Sequence, residues 1–385
     1  MKRIKFITYY SDFNNPINRT NTAPATEVSK FIVELLNECG YGVDIIAPNI
    51  IKERDNSKLY KTQKYNLDEN NTIIYPWGFG LKKKLGRINA LISLLWLFFY
   101  VLFHVKNNEL CFVYHAYLII PVIKALIKIK KIKVFMWVGE LYTNYTDYKN
   151  KKFTIEFEKQ YLSKVDSFIF SSYAIEKVVN VNKVPYLVFP GTLHYEEFEP
   201  SNFGDGKIHI VYAGNLNKNK GAWETVDCAK FLDENYHIHI LGHDSKAVVD
   251  PLKEYIEEVN KKSKASVTYD GFMSGEEFYS FLQKCHVGSA FQNQSKEYNY
   301  ASFPSKVQLY MGNGLRVISP RIKVIEDSDY GKYIYFTDTQ SPEEFANIIK
   351  NMDWDDGYNG VEIIKQFHER AKNELNSILK DHYNL

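Results

Sequence analysis

Apolar positions along this chain follow two alternating rhythms. Short β-branched runs are followed by stretches in which apolar residues recur every three or four places, the spacing of one helix face. The run Ile4-Lys5-Phe6-Ile7-Thr8-Tyr9-Tyr10 predicts a first strand; after Met1-Lys2-Arg3 it is too short for the apolar core of a signal peptide. Asn14–Pro24 is rich in Asn, Thr and Pro and predicts a loop. Val28, Phe31, Ile32, Leu35 and Leu36 then predict a helix closed by Gly40, and Val43–Ile46 the next strand. This βαβ opening repeats. Strands are predicted at 72–75, 110–114, 133–137, 167–170 and 186–189, and, after a polar stretch at 200–206, at 208–213, 237–241, 266–269, 288–291, 316–318 and 333–336. A last helical pattern runs from Val361 to Leu379.

Strands alternating with helices imply an α/β fold with parallel sheets. A chain of 385 residues exceeds one ordinary domain. The polar stretch places the boundary so that residues 1–202 form one domain and 203–365 a second. Ligands of such sheets sit beyond the carboxyl ends of the strands.

One segment breaks the rhythm. Ile88 to Val105 is apolar on every side, and Lys82-Lys83-Lys84 precedes it. A spanning helix needs about 20 apolar residues; this segment is shorter, contains Asn89, Ser93 and His104, and must return the chain to a sheet. Two readings remain, a buried helix or one lying on a membrane surface with lysines against anionic head groups. Lys124, Lys128, Lys130, Lys131 and Lys133 add a second basic and apolar surface, which favours the interfacial reading for Lys82–Val105 and a position at the inner face of the cell membrane. Net charge narrows the classes further: 48 basic against 46 acidic residues give +2, with no basic helix or RNA-binding aromatic motif, so nucleic acid is not an expected partner. Cys39, Cys111, Cys228 and Cys285 are scattered in apolar patterns without a C-x-x-C pair, as expected of reduced thiols in a cytoplasmic protein.

Two segments carry candidate chemistry. Ser302-Phe303-Pro304-Ser305-Lys306 opens a helix containing Tyr310 and Met311, which ends at Gly312 before the strand at 316–318. A first helical turn offers unpaired N–H groups, and Lys306 adds a cation, so an anion can dock there. The strand Ile208–Ala213 runs into Gly214-Asn215-Leu216-Asn217-Lys218-Asn219-Lys220-Gly221, again placing donors and cations at a strand's carboxyl end. Together the two suit a diphosphate. Asp327/Asp329 and Asp353/Asp355 have the Asp-x-Asp pattern of a metal motif, but lie in turn-like stretches away from both segments and read as caps or solvated residues.

These segments resemble the donor half of GT-B glycosyltransferases of the group 1 type, the large bacterial glycan-building group. Asn215 stands where that group usually has Arg, Lys220 is kept, and the Pro-x-Lys, Tyr-Met, Gly and Val-Ile positions match. The resemblance implies two Rossmann-like domains facing across a cleft, with residues 366–385 packing back on the first. It implies metal-independent hexosyl transfer (EC 2.4), without a cofactor, from a nucleotide sugar, most readily a UDP-sugar, to a glycan acceptor, lipid-linked, in polysaccharide or glycoconjugate synthesis. By the same resemblance, Gly214, Asn215, Lys220, Ser305 and Lys306 hold the diphosphate. Gly242, Gly271, Phe272, Met273, Tyr300, Ala301, Ser302 and Phe303 contact nucleotide and sugar, with His243 a further candidate. His115 and Glu140 each end a predicted strand in the first half. His115 stands where a His is common in the family and is a candidate donor to sugar or acceptor, or a cleft histidine; Glu140 is a candidate base or a turn cap. Many retaining members carry two glutamates where this chain has Ala301 and Leu309, and the usual glycine-rich first loop is replaced by the glycine-free Asn14–Pro24 stretch. The pattern with Leu309 is closer to the glycosyltransferase-3-like and galactofuranosyltransferase-like branch, and leaves retention or inversion open. A GT-B-shaped subunit without catalysis and a UDP-sugar epimerase are the competing readings.

Overall fold

The computed structural model describes residues 1–20, 23–54, 58–81, 86–142, 155–195, 197–199, 201–218, 220–292 and 303–385. Tyr300, Ala301, Ser302 and the lysines at 82–84 lie outside these described residues. The chain divides into two compact units, Met1–Thr192 with Glu369–Leu385, and Leu193–His368. The polar stretch at 200–206 thus falls inside the second unit, and the division comes earlier, between Thr192 and Leu193.

The first unit contains β1 (Lys2–Ile7), β2 (Tyr41–Ile46), β3 (Leu59–Tyr60), β4 (Gln63–Asn66), β5 (Asn71–Tyr75), β6 (Gly78–Phe79), β7 (Leu110–Tyr114), β8 (Lys133–Val138), β9 (Ser167–Phe170) and β10 (Tyr186–Val188). Eight of them form one sheet in the order β10-β9-β8-β7-β1-β2-β5-β4. All neighbours in it are parallel except β4, which runs antiparallel to β5. Parallel strands are covered on both faces, which is why β5, β7, β8 and β9 read as unbroken buried runs. The sequence pattern did not predict β3, β4 and β6. β4 is an edge strand of Gln, Lys, Tyr and Asn, and β3 and β6 are a two-residue antiparallel pair.

The helix Gly86–His104 is inverted relative to an ordinary amphipathic helix. Its polar residues Asn89 and Ser93 are buried with Leu97 and Val101, and Ile88, Leu91, Leu95, Phe99 and Phe103 are exposed. The polar pair is held by main chain: Asn89 Nδ2 donates to the Phe79 carbonyl at 2.6 Å and Asn89 Oδ1 accepts from Phe79 N at 3.0 Å, while Ser93 Oγ donates to the Pro48 carbonyl at 2.6 Å. Satisfied in this way, the two polar residues can face the interior.

The second unit holds β11 (Ile208–Ala213), β12 (Tyr236–Leu241), β13 (Ser266–Gly271), β14 (Val287–Ser289), β15 (Arg316–Pro320) and β16 (Ile334–Thr337). They form a wholly parallel sheet in the order β13-β12-β11-β14-β15-β16. The strand order reverses between β11 and β14, the place where open α/β sheets leave a crevice at their carboxyl ends. One face of this sheet contributes Ile210, Tyr212, Ile238 and Ile240 to a core completed by Val226, Leu252, Phe291, Phe345 and Ile349. The helix Gly360–Asp381 begins in the second unit and ends in the first.

Candidate functional site

A cavity of about 770 Å³ opens within the second unit at the carboxyl ends of β11 and β12. Two glycines create it. Gly214, just past β11, has φ +148°, and Gly242, just past β12, has φ +156°. A Cβ on Gly242 would stand 2.0 Å from the Gly214 carbonyl oxygen, and one on Gly214 would stand 2.9 Å from Lys306 Cε. Only glycine lets the two loops and the lysine approach so closely.

Tyr212 fixes the loop between them. Its hydroxyl lies 2.7 Å from the Asn215 carbonyl and 2.6 Å from the Lys220 carbonyl, so one buried phenol ties both ends of the lysine-bearing turn. Tyr310 completes the frame, its hydroxyl accepting from Ala213 N at 2.8 Å. The ring of Tyr212 also carries Lys306, whose Nζ stands 3.4 Å from the ring centroid.

Lys306 is the electrostatic centre of the site. Its Nζ is buried and has no hydrogen-bond partner among the described residues. Burial pushes its ammonium well below the usual lysine range, and the charge on Lys220 pushes it further the same way. A buried donor without a partner costs on the order of 1–3 kcal/mol, more when charged. Gln292 Nε2 is buried and unpartnered in the same cavity. The lining therefore offers two unsatisfied donors, the Lys306 ammonium and the Gln292 amide, together with Lys220, the complement of an anion rich in oxygen atoms. The helices that begin beside the lysines, Ala222–Asp227 and Lys306–Gly312, have six and seven residues. With helices this short, side-chain cations rather than helix dipoles supply the field.

Much of the remaining lining is apolar. Leu241, Phe272, Met273, Phe278, Ala290 and Leu309 form this part. Phe272 is 69 % exposed, a free ring face at the rim. Leu309 brings a branched alkyl group to the cavity.

Of the expected donor-site residues, Gly214, Asn215, Lys220, Gly242, His243, Phe272, Met273, Ser305 and Lys306 line this one cavity. Gly271 and Phe303 are not among its lining residues: the Gly271 carbonyl instead accepts from Gly242 N at 2.8 Å, and Phe303 packs on Tyr330 with centroids 5.5 Å apart. Tyr300, Ala301 and Ser302 lie outside the described residues. Sequence reasoning missed Gln292, Phe278 and Tyr212. Gln292 was within reach, because it follows a predicted strand at its carboxyl end, where ligands gather.

His115 and Glu140 belong to the first unit. His115 follows β7, its N–H donating to the Trp137 carbonyl at 2.9 Å. Its imidazole is 1 % exposed, with Nε2 3.5 Å from Oε1 of the fully buried Glu158. Burial pushes that imidazole down to about 4, so it is neutral at pH 7 despite the nearby carboxyl group, and neither ring nitrogen has a hydrogen-bond partner among the described residues. Glu158 Oε1 also accepts from Tyr142 N at 3.1 Å, and Tyr142 donates its hydroxyl to the His115 carbonyl at 3.0 Å. Glu140 is partly exposed.

No protein-family model matches the sequence. No curated protein matches it either. Solved structures do. An α,α-trehalose-phosphate synthase (UDP-forming) from Burkholderia xenovorans, in complex with glucose-6-phosphate, has 9 % identity and a TM-score of 0.63, covering 100 % of this chain and 99 % of its own. A trehalose-6-phosphate protein from E. coli bound with UDP-2-fluoro glucose has 11 % identity and a TM-score of 0.62, covering 98 % and 99 %. HepE from Anabaena, in complex with UDP, has 12 % identity and a TM-score of 0.60, covering 98 % and 100 %. At such identities the likeness is one of fold, and it extends over nearly the full length of each chain. The protein accordingly has the GT-B fold of the α/β class, two Rossmann-like parallel-sheet units in one chain.

Proposed function

We propose that this chain is a glycosyltransferase that moves a sugar, a hexose or N-acetylhexosamine, from a UDP-sugar to a glycan acceptor. The observation that carries the reading is the buried, unpartnered ammonium of Lys306 beside Lys220 at the mouth of β11. A departing diphosphate accumulates negative charge, and preorganised cations in a desolvated site stabilise it without reorganising. Lys306, Lys220 and the Gln292 amide supply that role with no metal step. The exposed Phe272 ring offers a stacking face for the base. Similar folds bound with UDP or a UDP-sugar analogue support a uridine donor. His115 and Glu140 are proposed to serve acceptor activation or sugar binding, Glu140 being the more accessible of the two.

The acceptor is proposed to be lipid-linked, with the protein working at the inner surface of the cell membrane on polysaccharide or glycoconjugate synthesis. Support comes from the exposed stripe Ile88, Leu91, Leu95, Phe99 and Phe103 and the adjoining lysine-bearing helix Ile120–Lys130. The helix Gly86–His104 is the single described helix long and apolar enough to cross a membrane, and 22 % of its stretch Arg87–His104 is buried.

A panel of nucleotide sugars incubated with the protein tests the reading. Slow release of UDP from one of them supports a transferase, interconversion of the sugar identifies an epimerase, and absence of both binding and turnover identifies a non-catalytic subunit.

A further inference from the structure

The second sheet carries a cluster of histidines that the transfer reaction does not use. In the parallel register of β11 and β12, His209 stands opposite His237 and Val211 opposite His239; in that of β12 and β13, His239 stands opposite Thr268. Successive strand residues alternate between faces, so the three histidines share the face turned away from Ile210, Ile238 and Ile240. His209 and His239 are buried and His237 partly so. Phe203 lies over His209 and His239, with centroids 4.2 Å and 5.0 Å away.

Each ring has one nitrogen committed to an oxygen. His209 Nε2 is 2.9 Å from Asp205 Oδ1, His239 Nδ1 is 3.1 Å from Asp270 Oδ2, and His237 Nε2 is 3.1 Å from Thr268 Oγ1. His209 Nδ1 and His239 Nε2 are 2.9 Å apart, and the three rings offer one nitrogen each within 4.8 Å of one another. In the row Asp205, His209, His239, Asp270, each imidazole has its outer nitrogen beside a carboxylate and its inner nitrogen facing the other ring. A cation between the rings suits this arrangement: each imidazole keeps its N–H for its oxygen partner and gives its other lone pair to the ion. Histidine ligands fixed by carboxylates behind them are the ordinary outer arrangement of a zinc centre.

We propose that His209, His237 and His239 bind one zinc-class divalent cation through His209 Nδ1, His239 Nε2 and His237 Nδ1, with Asp205, Asp270 and Thr268 orienting the rings. Two nitrogens on a tetrahedral zinc lie about 3.3 Å apart, so the His209 and His239 pair needs little adjustment. His237 stacks on His239 at 4.2 Å and 16° and must turn its ring edge toward the ion, a motion its partial exposure allows. Three protein ligands leave the fourth position to water. The histidines precede the carboxyl ends of β11 and β12, where Gly214 and Gly242 open the nucleotide cavity. The ion therefore ties the Phe203 to Asp205 loop to the sheet and takes no part in transfer.

The test is zinc titration of the full chain after treatment with a chelator. One Zn²⁺ per chain is expected to bind and raise the melting temperature by linkage. Asp270→Asn is expected to weaken zinc affinity 10- to 100-fold, as loss of an outer partner does, and His237→Gln at least as much while keeping the amide in reach of Thr268. UDP binding of each variant reports that the second unit is folded, and is expected to be unchanged. Absence of saturable one-to-one binding, or zinc binding equal to the parent in both variants, overturns the proposal.

Discussion

Lys306 shows how one side chain can be unstable alone and useful in company. Its ammonium is buried, sits over an aromatic ring and faces another lysine, so the folded protein holds its proton less firmly than an exposed lysine would. Arrival of a diphosphate reverses that balance. UDP binding is therefore expected to raise the pKa of this lysine, so that at alkaline pH, where the free site loses its proton first, binding takes up a proton and its heat depends on the buffer's ionisation enthalpy. Lys306→Ala should weaken UDP by about 1–3 kcal/mol and abolish the proton uptake; equal affinity would mean that the diphosphate sits elsewhere. His115 gives the second residue-scale prediction. Its folded value of about 4 lies below the ordinary 6.5. Between these values the unfolded chain binds a proton that the folded one does not, so this contribution is intact above 6.5 and is lost as pH falls toward 4. The stability difference between the parent and His115→Gln should narrow by about 2 kcal/mol from pH 7 to pH 5 in urea unfolding. A difference independent of pH would show that burial does not depress this imidazole.

At the scale of elements, strand ends and helix faces carry the argument. Gly242→Ala would drive a methyl group into the Gly214 carbonyl at a left-handed φ. The expected cost is about 1–3 kcal/mol in chemical unfolding, with weaker UDP binding, because the cavity rim is the part displaced. The helix Gly86–His104 predicts its own partner. Phe99→Asp with Phe103→Asp should abolish sedimentation with vesicles containing anionic lipid and leave UDP affinity unchanged; retention on vesicles would remove the role of this stripe. Both features were partly legible. β7 and β8 could be read because a strand buried on both faces is an unbroken apolar run, and Lys306 because Pro-x-Lys marks a helix start. The outward stripe was not, since Asn89 and Ser93 look like interruptions until the carbonyls they bind are known. The histidine cluster was hidden for a related reason. His209, His237 and His239 look like polar breaks in buried strands, and only the β11/β12 register brings them together.

At the scale of the whole molecule, the final helix links the two units through one continuous backbone. Beyond residue 368 it buries Ala371, Leu375 and Leu379 in the first unit, where Tyr383 donates a hydrogen bond to Ser167 Oγ at 2.8 Å. Leu379→Ala should destabilise that unit by about 2–5 kcal/mol. Hydrogen exchange should show faster opening across Met1–Thr192, with UDP binding in the second unit unaffected; slower UDP release or uniform opening of both units would contradict independent stability. The same helix sets an order of events at the ribosome. Domains generally fold as the chain emerges, amino end first. Here Met1–Thr192 is translated first yet must wait for its last helix, while Leu193–His368 has all its strands available sooner. The half begun first is completed last, and newborn chains would spend that interval with all strands of the first sheet made but its last helix missing, open to chaperones.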